Sequence, residues 1–209
     1  MRYGRWVETL SAKGTRLNRR GLETRETLLR TAVRCLADGG PESVSANLVA
    51  REAGVTWGTV QHQFGDVDGL WAAVLGSVSE RAKDLIPVSE PTSLAARVDE
   101  ILTLMWNAMD RPALRAIHNL RVALPRDRAT LERDFPRTAE ALLDWDNRWE
   151  RAVRDAFAGF DVDPVRLHRV RSMLPGAVRG IHSEQYLSSY ADMDEGRKGL
   201  AEAITEYLS

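Results

Sequence analysis

Residues 53–64 read Ala-Gly-Val-Thr-Trp-Gly-Thr-Val-Gln-His-Gln-Phe, and their reading decides the fold. Ala53-Gly54-Val55 is a tight bend between two short helical patterns. Val44, Leu48 and Val49 supply apolar positions before the bend, and Val60 and Phe64 supply them after it. Two short helices joined by a Gly-containing turn make a helix-turn-helix unit, whose second helix fits the DNA major groove. Thr56 is placed to cap that helix, because its hydroxyl can accept from an otherwise unpaired backbone N–H. Everything outside this stretch is expected to position it.

The charge distribution agrees with a nucleic-acid contact at one end of the chain. The 209 residues carry a net charge of −1, with 44% hydrophobic and 28% charged residues, ordinary for a globular protein. Residues 1–65 hold ten Arg/Lys against six Asp/Glu, a balance of +4, while the remainder stands at −5. No apolar run approaches the roughly 20 residues that span a bilayer. The basic N-terminus lacks the apolar segment of a secretory signal. A single cysteine, Cys35, fits a reducing, cytoplasmic location and reads as a small core residue among Leu28, Leu29, Ala32 and Leu36.

Outward from the bend, helical periodicity is the only pattern present. Residues 1–20, with Arg2, Arg5, Lys13, Arg16, Arg19 and Arg20 against Glu8, read as a flexible basic arm suited to phosphates or a minor groove. A helix runs from about Leu22 to Ala37 and stops at Gly39-Gly40-Pro41. Ser45 caps the next, Thr56 the third, and Asp66 a fourth that reaches about residue 86 before the Pro87–Pro91 junction. Beyond it come helices over Leu94–Met109, Pro112 to Pro125, Arg126–Arg133, Pro136 to about Ala158, Asp163 to Leu187 and Met193–Leu208. Pro175 is expected to kink the long helix that holds it. The fold class is all-α, about nine helices, in three stretches: the arm 1–20, a helix-turn-helix domain 21–66, and a helical domain 67–209 whose helix 67–86 is the link.

The spaced residues Thr24-Arg25, Ala32, Gly39/Gly40, Ser43-Val44-Ser45, Ala53-Gly54-Val55-Thr56-Trp57-Gly58-Thr59-Val60, Phe64 and Leu70 resemble the TetR family of bacterial transcriptional regulators. The resemblance covers about Leu22 to Leu75. Over the rest it extends to helical layout and length. It implies a homodimer in which each N-terminal domain docks a major groove of double-stranded DNA at a palindromic operator. It further implies that the last two long helices form a dimer bundle. A cavity in the C-terminal domain would take a small-molecule effector that releases the protein from DNA, making it a repressor.

Carried over residue by residue, Trp57, Thr59, Gln61 and Gln63 occupy groove-facing positions, with His62 as a base or backbone contact. Asn47 on the preceding helix can also reach a base or phosphate. Arg20 and Arg25 would fix register on phosphates, and the caps Ser45 and Thr56 complete the DNA-binding set. Three positions depart from the family pattern. Gln61 stands where tyrosine is common, Gln63 where histidine follows, and Val67 where lysine opens the fourth helix. Tyrosine and lysine there typically grip phosphates, so the backbone contacts are reduced or moved to the arm.

For the effector, apolar and polarizable residues with a few orienting polar groups are expected: Leu102, Met105, Trp106, Met109, His118, Trp145, Trp149, Met173 and His182. Each is also an ordinary core residue, although Trp145 and Trp149, four apart, should share a helix face. Entry near Trp106 and Trp149 would shift the fourth helix through packing at Leu70, Trp71 and Val74. The dimer interface is expected at Val178, Ile181, Leu187, Leu200, Ala203, Ile204 and Tyr207. Two rival readings remain: an interaction module with a degenerate helix-turn-helix, and an enzyme. The enzyme is disfavoured because the four histidines are scattered and no zinc-spaced, nucleophile-elbow or phosphate-loop motif occurs. No metal or cofactor is expected, and no membrane partner.

Overall fold

The computed structural model describes residues 10–39, 44–81, 93–189 and 192–209. Among them are ten α-helices: α1 Arg19–Asp38, α2 Ala46–Glu52, α3 Trp57–Phe64, α4 Val67–Arg81, α5 Leu94–Met109, α6 Pro112–Ala123, α7 Arg128–Asp134, α8 Pro136–Ala156, α9 Pro164–Leu187 and α10 Met193–Leu208. This is the all-α class expected, with one helix more than the estimate. The described residues contain no strand beyond an isolated bridge between Leu10 and Arg16. Gly40, Pro41, the Pro87–Pro91 junction and the first nine residues of the arm lie outside the described residues.

Most helix starts follow from side-chain caps that the sequence displays. Asn18, Ser45, Thr56, Ser93, Asp127, Asp163 and Asp192 each accept from a backbone N–H in the first turn of the helix that follows. Asn18, Ser93, Asp127 and Asp192 are caps that the sequence reading did not name, and Asn18 moves the start of α1 from Leu22 back to Arg19. Arg20 therefore sits on a helix. Residues 10–18 fold into a turn in which Ser11 N–H donates to Thr15 O (2.8 Å), with Ser11 and Leu17 buried.

The chain divides into two compact units, 1–82 with 112–145 and 83–111 with 146–209. The division does not fall at 66/67, and two side-chain joints explain why. Asn119 of α6 donates to both Leu36 O (2.7 Å) and Gly39 O (2.8 Å), closing the C-terminal end of α1. Asp68 of α4 accepts from the first backbone amides of α8, as described below. These joints tie α6 and the start of α8 to the helix-turn-helix.

The first unit's core gathers Leu28, Ala32 and Leu36 of α1, Val49 of α2, Val60 and Phe64 of α3, Leu70, Trp71, Val74 and Leu75 of α4, and Ile117 and Leu120 of α6. Cys35 packs against this cluster, and burial pushes its thiol pKa up, with Glu52 adding to the rise. The second unit's core combines Val98, Ile101 and Leu102 of α5, Val153 and Ala156 of α8 with Phe157 just after it, Val170, Leu174 and Val178 of α9, and Ile204 and Leu208 of α10. Among the described residues, no helix is long and apolar enough to cross a membrane.

Pro175 lies inside α9, as expected. A proline offers no N–H to the carbonyl four residues earlier, here that of Arg171. The indole N–H of Trp149 donates to that same carbonyl at 3.3 Å. The broken rung of α9 is thus completed from α8.

Candidate nucleic-acid interface

The bend is built as its residues require. Gly54 has φ +67°, a left-handed conformation that favours glycine, and Val55 N–H closes the turn on Ala50 O at 3.0 Å. Thr56 Oγ1 then accepts from Thr59 N–H at 3.3 Å and starts α3. Val60, Gln63 and Phe64 face inward, with Val60 fully buried. At 100° per residue, Gly58, Thr59, Gln61 and His62 lie on the opposite side; Gly58, Gln61 and His62 are exposed and Thr59 half-buried. Trp57 is half-buried and packs partly against the first core. Asn47 is exposed on α2, Ser45 is half-buried as its cap, and Thr56 and Arg20 are exposed.

Two residues of the expected DNA-binding set are engaged inside the unit instead. Gln63 is 4% exposed, and its amide donates to Gly21 O at 3.0 Å. Arg25 donates to Gln63 O at 2.8 Å and lies 4.4 Å over the Phe64 ring, with burial lowering its pKa from the ordinary guanidinium value. Together they fasten the inner side of α3 to α1. The position expected to bear histidine thus serves packing. Val67, where lysine was expected, packs against the same core.

The C-terminal end of α3 carries a joint that sequence reasoning missed. Gly65 ends α3 at φ +89°, and Asp66 Oδ1 accepts from Gly69 N–H at 2.9 Å to start α4. Arg137, near the start of α8, donates to Phe64 O at 3.2 Å, to the Asp66 carboxylate, and from Nε to Asp68 Oδ2 at 3.1 Å. The Asp68 carboxylate also accepts the backbone N–H of Arg137 (3.0 Å) and of Thr138 (2.8 Å), while Thr138 Oγ1 donates to Asp68 O (3.1 Å). Asp68 is 7% exposed. Burial alone would push its carboxyl pKa up, but the hydrogen bonds from Thr138 and Arg137 outweigh that and hold it below the ordinary value. A Cβ at Gly69 would stand 2.0 Å from Phe64 O and 2.6 Å from Arg137 Nη1, so only glycine lets these parts close. No periodicity or motif announces such a partner 69 residues away.

The expected effector residues divide between the two units. Leu102 is buried in the second core, and Met105, Trp106, Met109 and Trp149 pack against it. His182 is 7% exposed, with Nε2 3.3 Å from Asp110 Oδ1 and its ring edge-on to Trp106 at 5.1 Å between centroids. Met173 is exposed on α9. His118, exposed on α6, and Trp145, packed on the first core, belong to the other unit. Trp145 and Trp149 therefore serve different clusters despite their spacing.

Of the expected dimer residues, Val178 and Ile204 are buried in their own second core, at 1% and 2% exposure. Ile181 and Leu200 are half-buried, and Ala203 and Tyr207 are exposed. Tyr207 OH accepts from Arg169 at 3.0 Å. The side chain of Leu187 is outside the described residues.

Comparisons with known proteins agree with this geometry. Residues 28–74 match the family model of "Bacterial regulatory proteins, tetR family". No curated protein matches the chain. Among solved structures, a putative TetR-family transcriptional regulator from Rhodococcus sp. is 23% identical, with TM-score 0.62, covering 90% of this chain and 100% of its own. A transcriptional regulator from Rhodococcus sp. Rha1 is 19% identical, with TM-score 0.66, covering 88% and 95%. NalD, the secondary repressor of the MexAB-OprM multidrug efflux pump in Pseudomonas aeruginosa, is 19% identical, with TM-score 0.62, covering 90% and 97%. Likeness at this identity speaks for the fold, and the match over 28–74 for the segment that holds α2 and α3. Residues 28–74 are thus similar to the N-terminal domain of the tetR family of bacterial regulatory proteins, and the chain shares the fold of these solved structures.

Proposed function

We propose that this protein is a cytoplasmic repressor, not an enzyme, that binds a palindromic operator as a homodimer and is released by a small, largely apolar molecule. The observation that carries the DNA-binding part is the outward side of α3, where Thr59, Gln61 and His62 stand opposite a buried anchor of Val60, Gln63 and Phe64. Gln can pair bidentately with adenine, and Thr can touch a thymine methyl or a phosphate. Trp57 adds apolar contact at the groove edge, Asn47 reaches from α2, and Arg20 supplies a phosphate contact. Gln63 and Arg25 are not part of this set. The test is the pair Thr59→Ala and Gln61→Ala in a gel-shift assay, since neither side chain is spent on the core. A loss of about 1–3 kcal/mol in operator affinity per base contact supports the reading. An unchanged affinity would return the degenerate interaction module to first place.

The effector site is proposed at Leu102, Met105, Trp106, Met109 and Trp149, with His182 as the polar group that orients the molecule. What supports it is the mixture of partly buried, polarizable side chains around one buried histidine in the second unit.

The dimer contact is proposed on the outward sides of α9 and α10 rather than on Val178 and Ile204. Ser172, Met173, Gly176, Gly180 and Ser183 form an exposed, uncharged stripe on α9, and Gly199 and Ala203 are exposed on α10. A Cβ at Gly176, Gly180 or Gly199 would meet no atom of another element within 4 Å among the described residues. Glycine inside a helix costs about 0.5–1 kcal/mol relative to alanine, and no packing among the described residues requires it at these positions. Close approach of a second copy would.

A further inference from the structure

The joint at the end of α3 has a geometry that bears on how the recognition helix is aimed. α3 is eight residues long, and its buried side chains are Val60, Gln63 and Phe64. Its last carbonyls, which carry the negative end of the helix dipole, need donors from elsewhere. Ala12 N–H donates to His62 O (3.2 Å), Arg25 to Gln63 O and Arg137 to Phe64 O, and of these donors Arg137 also meets Asp66 and Asp68 at the start of α4. Three acceptors on two helices are thus held by one planar group, which a lysine ammonium cannot replicate. Asp68 in turn fixes Arg137 by accepting two backbone amides at the start of α8, and Gly69 leaves no slack between the parts.

We propose that the Asp68–Arg137–Thr138 joint sets the orientation of the recognition helix, so that Arg137 is a positioning residue for sequence reading that touches no DNA. The proposal rests on the reading of α3 as the DNA-reading helix. Base-edge hydrogen bonds are short and directional, so a recognition helix released at one end loses discrimination before it loses general attraction to phosphates. Arg137→Lys keeps the charge and removes the multidentate geometry. Arg137→Ala removes both.

The experiment compares wild type, Arg137→Lys and Arg137→Ala on a DNA fragment recovered by selection and on a random fragment, across a salt series, at a temperature where all three are folded. Amide hydrogen exchange is followed in the same proteins without DNA. The expected result is a loss of about tenfold or more in preference for the selected fragment in both variants, at an unchanged salt slope. Exchange should quicken at residues 61–69. If Lys retains wild-type affinity while Ala weakens both fragments equally and lowers the salt slope by about one, Arg137 is a phosphate contact and the proposal is overturned. A lower melting temperature with preference unchanged also overturns it, because the role is then stability alone. Should wild type show no preference for any sequence, the proposed function fails. Exchange then decides the joint: quickening confined to residues 61–69 in both variants supports it, and unchanged exchange there removes it.

Discussion

Gln63 and Arg25 differ from Gln61 and Arg20 only by where the helix turns them. Two residues beyond Gln61 is a rotation of about 200°, so one glutamine is exposed and the other is 4% exposed with its amide on Gly21 O. The outward side of α3 was legible in the sequence because Val60 and Phe64 mark the inward one. Gln63 was read as groove-facing because a polar residue beside Phe64 reads as surface until its partner is known. Asp68 and Arg137 were not legible for a related reason: they meet across 69 residues, and no local pattern encodes that. Their pairing has a pH signature. The folded-state pKa of Asp68 is lowered, so its contribution is present in full above the unfolded carboxyl value of about 3.9 and is lost as pH falls through the folded value. Thermal midpoints between pH 6 and pH 2 should therefore fall on acidification, and Asp68→Asn should lower the midpoint at neutral pH and flatten that fall. An Asp68→Asn protein with the wild-type profile would remove Asp68 from the account.

At the scale of elements, caps were the most readable feature and joints between helices the least. Ser45, Thr56, Asp163 and the Pro112 start were all visible, and the helices they open lie where periodicity put them. Trp149 and Pro175 were each visible too, but their relation was not. Pro175 leaves the carbonyl of Arg171 without its helical donor, and Trp149 supplies one. Trp149→Phe should cost about 1 kcal/mol in urea unfolding by leaving that carbonyl unpaired. In the Pro175→Ala background, where residue 175 regains its N–H, the same change should cost far less. Additive losses in this double-mutant cycle would show that the two are not coupled. With its N–H engaged, Trp149 would contribute the apolar face of its ring to the proposed effector site.

At the scale of the whole molecule, the sequence displayed the helical class and the N-terminal domain but placed the unit boundary at 66/67. The cause is again long-range: α6 and the first part of α8 are joined to the helix-turn-helix by Asn119, Asp68 and Arg137. The dimer residues were chosen by hydrophobicity, which in an amphipathic helix selects the protein's own core. Val178 and Ile204 went there. A charge at Ile204 should therefore unfold the second unit. Gly180→Leu, on the exposed stripe, should yield a helical monomer in sedimentation with its melting transition retained. A Gly180→Leu protein that remains a dimer would move the contact elsewhere.

The central claim, that α3 reads DNA from a symmetric dimer, is tested most directly by selecting bound fragments from random double-stranded DNA. The account predicts enrichment of an inverted repeat, with half-site centres about 10–10.5 base pairs apart or a multiple of that, and loss of the enriched bases when Gln61 or Thr59 is alanine. Recovery of no enriched sequence, or of an unpaired site indifferent to both substitutions, would contradict it.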